Sequence, residues 1–386
     1  MNKCLVALLL LTLYISCGKQ KEDGKTEEMS RRFKKVVLLK TTPVKNQGHS
    51  GLCWAYAMLA TIETEHLMQG DSVNLSVDYV ARHFLKEQMM EQCINASARR
   101  QQVTLTTRGM SSMLLRLIHT YGLTHYDSYN ISLTPDPSPK ERGTLKGGHG
   151  ADYGVICRQL QQMAASPQFR GDRLSASVDS FLDEQMGPLP RFVFMLGAEY
   201  TALEYAHSVC RVDEYEQITS FLHHPFYQRF PLEVPDNRYH DTFLNVPLDT
   251  MMAAIDRTLL NGHPVCWEGD ISEKGFRWSA GIAELDDEIQ PTNGKPLPAI
   301  TQEQRLKAFV NGKTTDDHCM EIVGIAYKVQ PKKKASPQGG GMDGAPKYYV
   351  MKNSWGTNNA YRGYMVVSER YVRMKTVAVY LPSLIF

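Results

Sequence analysis

The stretch PVKNQGHSGLCWAYAMLATIE, residues Pro43 to Glu63, begins as a loop and ends as a helix, with a cysteine where the two meet. Glycine and polar residues fill its first half, as is typical of a loop. From Cys53 onward the apolar residues recur with a period near 3.6, which predicts an amphipathic helix. The partial positive charge at a helix N-terminus stabilises a thiolate. The position of Cys53 therefore favours a reactive thiol over a packed one.

Two later segments carry the groups that a reactive thiol needs. His318 precedes an apolar, strand-like run, and a neutral imidazole can take a thiol proton and return it to a leaving amine. Asn353 ends a second strand-like run and is expected to orient that imidazole, with Trp355 covering the hydrogen bond. Asp316 and Asp317 are interpreted as solvated loop residues, although Asp317 could also help to hold the imidazolium.

Gln47 lies six positions before the cysteine. Its side-chain amide and the backbone N–H of Cys53 would form an oxyanion hole, where loss of one donor costs roughly 3–4 kcal/mol of transition-state stabilisation. Each residue alone is more often structural than catalytic. Glutamine, cysteine, histidine and asparagine in this order, each in its own local motif, together predict a catalytic site built on a thiol.

These motifs resemble those of a known family. PVKNQGHSGLCWAYA, DHCMEIVG and KNSWG resemble the three active-site motifs of papain-like cysteine peptidases. Longer segments such as QITSFLHHPFYQRFPLEVPDN resemble the bleomycin hydrolase or aminopeptidase C branch, especially exported relatives from Bacteroidetes. The resemblance covers roughly residues 36–380. It implies an α+β, two-lobed papain-like fold, with the active-site cleft between a helical lobe and an antiparallel β lobe, and peptides or proteins as substrates.

The resemblance favours an aminopeptidase. In bleomycin hydrolase relatives the C-terminal carboxylate lies in the cleft and pairs with the free amine of the substrate. Here the chain ends in TVAVYLPSLIF, and the sequence leaves open whether this tail reaches the cleft or packs elsewhere. The alternatives are a papain-like endopeptidase, acyl transfer by the same thiol, and a catalytically silent peptide-binding surface lipoprotein. Because such relatives are often hexameric, a homo-oligomer is also considered.

The cysteines outside the motif suggest no metal or cofactor. Six remain after Cys4 and Cys17 are set aside with the signal, and they show no paired spacing of the kind that binds zinc. Cys319 directly follows the histidine, where the family more often has a small residue. Its thiol would either pack or form an inhibitory disulfide, and packing is favoured. Ser50 stands where papain itself has a disulfide-forming cysteine, and Leu52 replaces a smaller or polar residue.

The N-terminus predicts export. Residues 1–16 combine a positive start with a short apolar run, as in a secretory signal too short to span a bilayer. Cys17 follows Ser16, and this arrangement resembles a bacterial lipoprotein signal, with Cys17 as the lipidated residue that anchors the chain to a membrane. Residues 17–35 are predicted to be a flexible tether. The expected location is the periplasm or outer membrane, with exposure at the cell surface also considered.

Composition is typical of a globular protein, and the length allows one large domain or two modest ones. The 386 residues are 42% hydrophobic and 22% charged, and the net charge of +2 argues against a nucleic-acid partner. The peptidase domain is predicted over residues 36–386. Within it, residues 43–135 would form the helical lobe, 136–250 an insertion-rich middle segment and 251–386 the β lobe.

Overall fold

The computed structural model describes residues 29–97, 104–129, 152–166, 174–195, 197–289, 297–329 and 345–385. The signal sequence, Cys17 and Phe386 lie outside these ranges, so the expectations attached to them remain predictions. Within the described ranges, no helix combines the length and the apolar character that crossing a membrane requires.

Helices dominate the first half of the chain. In order they are α1 (Cys53–Met68), α2 (Val77–Ser97), α3 (Ser111–Tyr121), α4 (Tyr153–Ala165), α5 (Leu174–Met186) and α6 (Ala202–Val209). Helix α1 is the centre of this group, and most of its side chains are buried. Trp54 is fully buried, and its indole N–H donates to the carbonyl of Thr107 over 2.9 Å. The helix predicted from Cys53 onward is thus confirmed.

The sequence of residues 175–206 predicts a helical stretch, and the structure shows it to be interrupted. Helix α5 ends at Met186, and a short hairpin of β2 (Val193–Met195) and β3 (Ala198–Tyr200) precedes α6. Gly187 takes a positive φ of 78° just after α5, and the proline that follows it has no N–H to continue the helix. This glycine–proline signal outweighs the helical periodicity on either side.

A large, mostly antiparallel sheet forms the second layer. Its strands are β1 (Phe33–Leu38), β4 (Tyr215–Thr219), β5 (Arg229–Pro231), β6 (Thr242–Asn245), β7 (Val265–Gly269), β8 (Phe276–Arg277), β9 (Ile282–Ala283), β10 (His318–Lys328), β11 (Lys347–Lys352), β12 (Tyr364–Ser368) and β13 (Thr376–Pro382). Their order is β5-β6-β4-β13-β7-β10-β11-β12-β9-β8, and β1 also pairs with β10. The helices α7 (Leu248–Leu260), α8 (Asp286–Ile289), α9 (Gln302–Val310) and α10 (Glu369–Lys375) lie between them in sequence. The predicted α+β class is confirmed.

Two predicted boundaries need correction. Strand β1 begins at Phe33, inside the segment 17–35 that was expected to be a tether, and it pairs with the last part of β10. Phe33 is 1% exposed, and its ring packs edge-on against Tyr348. The folded body therefore starts before residue 36. The middle segment 136–250 also contributes β4, β5 and β6 to the sheet, because strands of three to five residues are too short to show a clear alternation.

The site predicted from the sequence lies where the two layers meet. One hydrophobic cluster surrounds α1, and a second fills the other side of the sheet around β10 and β11. Helix α1 packs against β10 and β7. The first residue of α1 therefore comes close to the first residue of β10, although 265 positions separate the two in sequence.

Candidate active site

Cys53 is the first residue of α1 and is half-buried. Leu52 holds the N-cap position with φ −88° and ψ 15°, and its apolar side chain cannot accept from the first backbone N–H groups. These N–H groups keep their partial positive charge for whatever lies in front of the helix. The helix end thus favours the ionised form of the cysteine, as the sequence predicted.

His318 begins β10 and is 3% exposed. Its Nε2 lies 2.8 Å from Oδ1 of Asn353, the residue that directly follows β11. An amide oxygen only accepts, so Nε2 carries the hydrogen and Nδ1 is left as the acceptor for the Cys53 thiol. The same Oδ1 accepts from the backbone N–H of Ser354 over 2.7 Å, and this fixes the amide.

An aromatic group covers this hydrogen bond. The Trp355 ring lies 4.7 Å from the imidazole of His318, measured between centroids, at an angle of 40°. Phe276 and Trp278 pack edge-on against Trp355 at 5.9 and 5.3 Å. Asn353 is 3% exposed beneath them. The imidazole–amide pair is therefore shielded from water, and shielding strengthens a polar contact.

Gln47 lines the same cavity as Cys53. Its Nε2 donates to the carbonyl of Ser50 over 2.7 Å, and its Oε1 accepts from the Ser354 hydroxyl over 2.6 Å. The Gln47 backbone N–H also donates to the Ser354 carbonyl over 2.7 Å. An amide nitrogen carries two hydrogens, so one remains for a ligand in the cavity once Ser50 is satisfied. Ser354 therefore holds both the side chain and the backbone of Gln47.

A second thiol contacts the nucleophile candidate. Cys319 is 2% exposed, and its S–H donates to the sulfur of Cys53. This bond is the largest influence on Cys53, whose pKa lies well below the ordinary value; burial opposes the shift, and His318 adds to it. Burial and the neighbouring Cys53 raise the pKa of Cys319 well above its usual range. Cys319 therefore stays protonated and packs, and all six cysteines within the described ranges are free.

The cavity has a volume of about 160 Å³, and four charged side chains also line it: Arg108, Asp236, Asp316 and Asp317. Arg108 forms an ion pair of 2.9 Å with Asp236. Asp316 accepts from the backbone N–H of Asp236 over 3.2 Å and is 7% exposed, so the expectation of a solvated side chain was wrong. Burial, together with the nearby Asp236 carboxylate, raises the pKa of Asp316 to about 6. This wall carries more negative than positive charge.

Asp317 does not hold the imidazole of His318 through a hydrogen bond, which was the role considered for it. Its Oδ1 accepts from the backbone N–H of Ile271 over 2.9 Å, and its Oδ2 accepts from the Thr315 hydroxyl over 3.4 Å. Burial raises its pKa. These bonds fasten the chain after β7 beside the cavity. They join Asp317 to backbone and hydroxyl groups rather than to the imidazole of His318.

The structure brings together Gln47, Cys53, His318, Asn353 and Trp355, as the order of motifs predicted. Sequence reasoning missed Arg108, Asp236 and Ser354. Arg108 and Asp236 are 128 positions apart, and nothing local marks either as part of a site. The Ser354 hydroxyl lies in the KNSWG motif, which was the available signal for that residue.

The fold of this chain is similar to that of solved structures. A comparison with protein-family models finds no match. Among solved structures, the crystal structure of PepW from Lactobacillus rhamnosis HN001 matches with a TM-score of 0.64 and 19% identity, over 92% of this chain and 82% of that one. Xylellain, a cysteine protease from Xylella fastidiosa, matches with a TM-score of 0.42 and 14% identity, over 94% and 88%. The chain has the papain-like fold that the sequence predicted.

One relative is similar in sequence along nearly the whole chain. Aminopeptidase E of Lactobacillus helveticus is 24% identical over 397 residues, which cover 92% of this chain and 86% of that protein. The similarity therefore extends over most of the chain. It confirms the resemblance to papain-like cysteine peptidases that the motifs indicated.

Proposed function

We propose that this protein is a cysteine-type peptidase that acts as an aminopeptidase. One observation carries the proposal: the imidazole of His318 is held by Asn353 through Nε2, so that its other nitrogen is the acceptor for the Cys53 thiol. A thiolate, a general base and a residue that orients the base are what nucleophilic peptide cleavage requires.

The proposed reaction has two halves. The Cys53 thiolate attacks the peptide carbonyl, and the imidazolium of His318 gives its proton to the leaving amine. The negative oxygen of the tetrahedral intermediate accepts from the Cys53 backbone N–H and from the Gln47 amide. Water, deprotonated by His318, then hydrolyses the thioester and frees the thiolate. Asn353 keeps the imidazole in one tautomer throughout, and Trp355 excludes competing water.

The aminopeptidase mode is supported by the similarity to aminopeptidase E and by the charge of the cavity. A substrate ammonium group would meet the carboxylates of Asp236, Asp316 and Asp317, which outnumber the positive groups of Arg108 and the His318 imidazolium in the described lining. Two of these carboxylates are largely buried, where an ion pair is screened less than at the surface.

Residues Ser383–Ile385, the last residues that the structure describes, lie away from the cavity beside Cys53. Thr376, at the start of β13, pairs with Gly269, which also pairs with His318. Residues Ser383–Ile385 follow the other end of β13, about 20 Å away at 3.3 Å per residue. Ser383 donates there to the Glu214 carbonyl. Side chains of the cavity wall, rather than residues 383–385, therefore supply the negative charge in this proposal.

Two fluorogenic peptides test the mode of action. They share one sequence, but one has a free amine and the other is N-acetylated, and the Cys53→Ala variant serves as the blank. We expect cleavage of the free-amine peptide alone. Cleavage of both would indicate an endopeptidase. Cleavage of neither, across several residue types, would favour a peptide-binding protein without turnover.

We also propose that the chain is exported and anchored through a lipid on Cys17. The support is the sequence of residues 1–17 alone. Cys17→Ala should move the protein from the membrane fraction to the soluble fraction of the source cells, with peptidase activity per molecule unchanged. An unchanged membrane fraction would exclude this anchor.

A further inference from the structure

Two histidines and a glutamate form a cluster outside the candidate active site. His223 and His224 precede β5, and Glu233 follows it. The Nε2 atom of His223 lies 3.2 Å from one carboxylate oxygen of Glu233, and the Nε2 atom of His224 lies 2.5 Å from the other. One donor atom from each of the three side chains falls within 4.8 Å of the other two.

The imidazoles are held in place by aromatic rings. His224 stacks on Phe230 with 3.8 Å between centroids and an angle of 20°. His223 lies nearly parallel to Phe309 at 6.1 Å. Asn245 donates from Nδ2 to the carbonyl of His224 over 2.8 Å, which fixes the backbone of that turn. Ligands that are oriented before binding lose little conformational freedom when an ion arrives.

We propose that His223, His224 and Glu233 bind a divalent transition-metal ion of the zinc type. Imidazole nitrogen with a carboxylate oxygen suits Zn²⁺, Cu²⁺ or Ni²⁺, whereas Mg²⁺ and Ca²⁺ prefer oxygen ligands alone. Zinc bonds of about 2.0–2.1 Å place tetrahedral ligands roughly 3.3 Å apart, which small side-chain rotations reach from the observed spacing. Each imidazole would bind the ion as the neutral tautomer with its hydrogen on Nδ1: a neutral ring exchanges its proton from Nε2 to Nδ1 through solvent, and a protonated ring releases its Nε2 proton to solvent. Water completes the coordination.

The ion would fasten a wall of the cavity beside Cys53. Glu233 directly precedes a turn that contains Asp236 and is closed by the Asn237 N–H and the Val234 carbonyl at 3.1 Å. Asp236 lines the cavity and pairs with Arg108. A metal bridge from Glu233 to the two histidines would therefore tie this turn to the segment before β5. The role that this placement supports is structural, because the cluster is separate from the residues around the thiol.

A sequence scan for paired cysteines could not detect this site. No metal was expected from the sequence, because the cysteines lack the spacing of zinc ligands. Two adjacent histidines and a glutamate nine positions later match no common spacing of metal ligands. The histidines and the glutamate flank the short strand β5, and both imidazoles pack against Phe230 of that strand.

Zinc binding to the purified full chain tests the proposal. The experiment uses Cys53→Ala protein, because a thiolate beside an imidazole is itself a zinc ligand. After treatment with a chelator, Zn²⁺ is titrated near neutral pH in competition with a chromophoric chelator. We expect saturation at one ion per chain. Addition of Glu233→Gln or of His224→Ala should weaken binding by about tenfold or more.

His207→Ala, at an exposed histidine on α6, is the matched control and should leave the affinity unchanged. The cluster is at the surface, so the variants should fold, and their thermal melting without metal checks this. Equal affinity in the Glu233→Gln, His224→Ala and control proteins, or no saturable binding, would overturn the proposal.

A second measurement identifies the ligands. The electron paramagnetic resonance spectrum of bound Cu²⁺ should show coupling to two imidazole nitrogens, and to one in His224→Ala. The same two-nitrogen pattern in both proteins would place the metal elsewhere and would also overturn the proposal.

Discussion

The candidate active site contains two thiols, those of Cys53 and Cys319. Cys319 donates to Cys53, and this bond, against the opposing effect of burial, is the main reason that the pKa of Cys53 falls well below the ordinary value. A helix N-terminus and a histidine both lower the pKa of a thiol. Here Cys319, the buried residue that directly follows His318, also lowers the pKa of Cys53.

Cys319→Ala should raise the pKa of Cys53, because it removes the hydrogen bond that favours the thiolate. The thiolate would then form at higher pH, and the acidic limb of the pH profile would move upward. The rate of alkylation by iodoacetamide as a function of pH measures this directly. Cys157→Ala, at a half-buried cysteine of α4, is the control. An identical midpoint in wild type and Cys319→Ala would contradict the assigned role.

Gln47→Ala should lower kcat by about 10²–10³ and change KM little, since the amide would act on the oxyanion and not on the bound substrate. Steady-state kinetics with the free-amine peptide separates the two constants. Ser354→Ala removes the hydroxyl that holds the Gln47 oxygen but leaves the donor in place, so its effect on kcat should be smaller. If both variants lose activity equally, Gln47 acts only through the position of the loop.

At the scale of single elements, strand β1 shows how an unremarkable stretch becomes part of the fold. FKKVVL alternates only partly, and it follows a polar run of the kind found in tethers. It pairs with the second half of β10, while β7 pairs with the first half. The long strand β10 therefore has room for two partners along one edge, and β1 covers the part that β7 leaves.

Phe33→Ala should lower the free energy of unfolding by about 3–5 kcal/mol, as expected when a buried aromatic ring leaves a cavity. Val36→Ala in the same strand should change it by less than about 0.5 kcal/mol, because Val36 is 44% exposed. Urea unfolding of both variants gives the comparison. Equal, small effects would mean that β1 is only loosely attached and that the tether extends further than the structure indicates.

At the scale of the whole molecule, the cleft depends on the docking of the helical layer on the sheet. Cys53 and Arg108 come from the helical side, and His318 and Asp316 from the sheet side. Asp236 comes from a third segment, between β5 and β6. The charge of the cavity is therefore a property of the assembled fold, and no single segment carries it.

Asp316→Asn should raise KM for the free-amine peptide by roughly tenfold or more, because a hydrogen bond to a charged group would be lost. The asparagine can still accept from the Asp236 N–H, so the wall should keep its shape. The rate of Cys53 alkylation by iodoacetamide serves as the control and should be nearly unchanged. An equal fall in kcat/KM and in the alkylation rate would show that Asp316 acts on the thiol and does not bind the amine.

The stability of the molecule should also depend on this carboxyl group. The pKa of Asp316 is about 6 in the folded chain, above the ordinary aspartate value of about 3.9. The folded state therefore holds a proton that the unfolded state loses, and stability falls as pH rises from about 4 to 6. Asp316→Asn should remove this part of the pH dependence, which denaturant unfolding at several pH values measures. An unchanged pH dependence would contradict the raised pKa.

The amino-acid sequence by itself determined the class of the fold and the principal residues of the site. The helix after Cys53 was predictable because its apolar period is local. His318 and Asn353 were predictable because the first begins an apolar strand and the second directly follows one. Only the tertiary structure decided that Cys319 touches Cys53, that Arg108 faces Asp236, that Phe33 belongs to the sheet and that Glu233 meets two histidines. These contacts join positions that are far apart in sequence or depend on the direction of a side chain, and both are set by packing rather than by any local pattern.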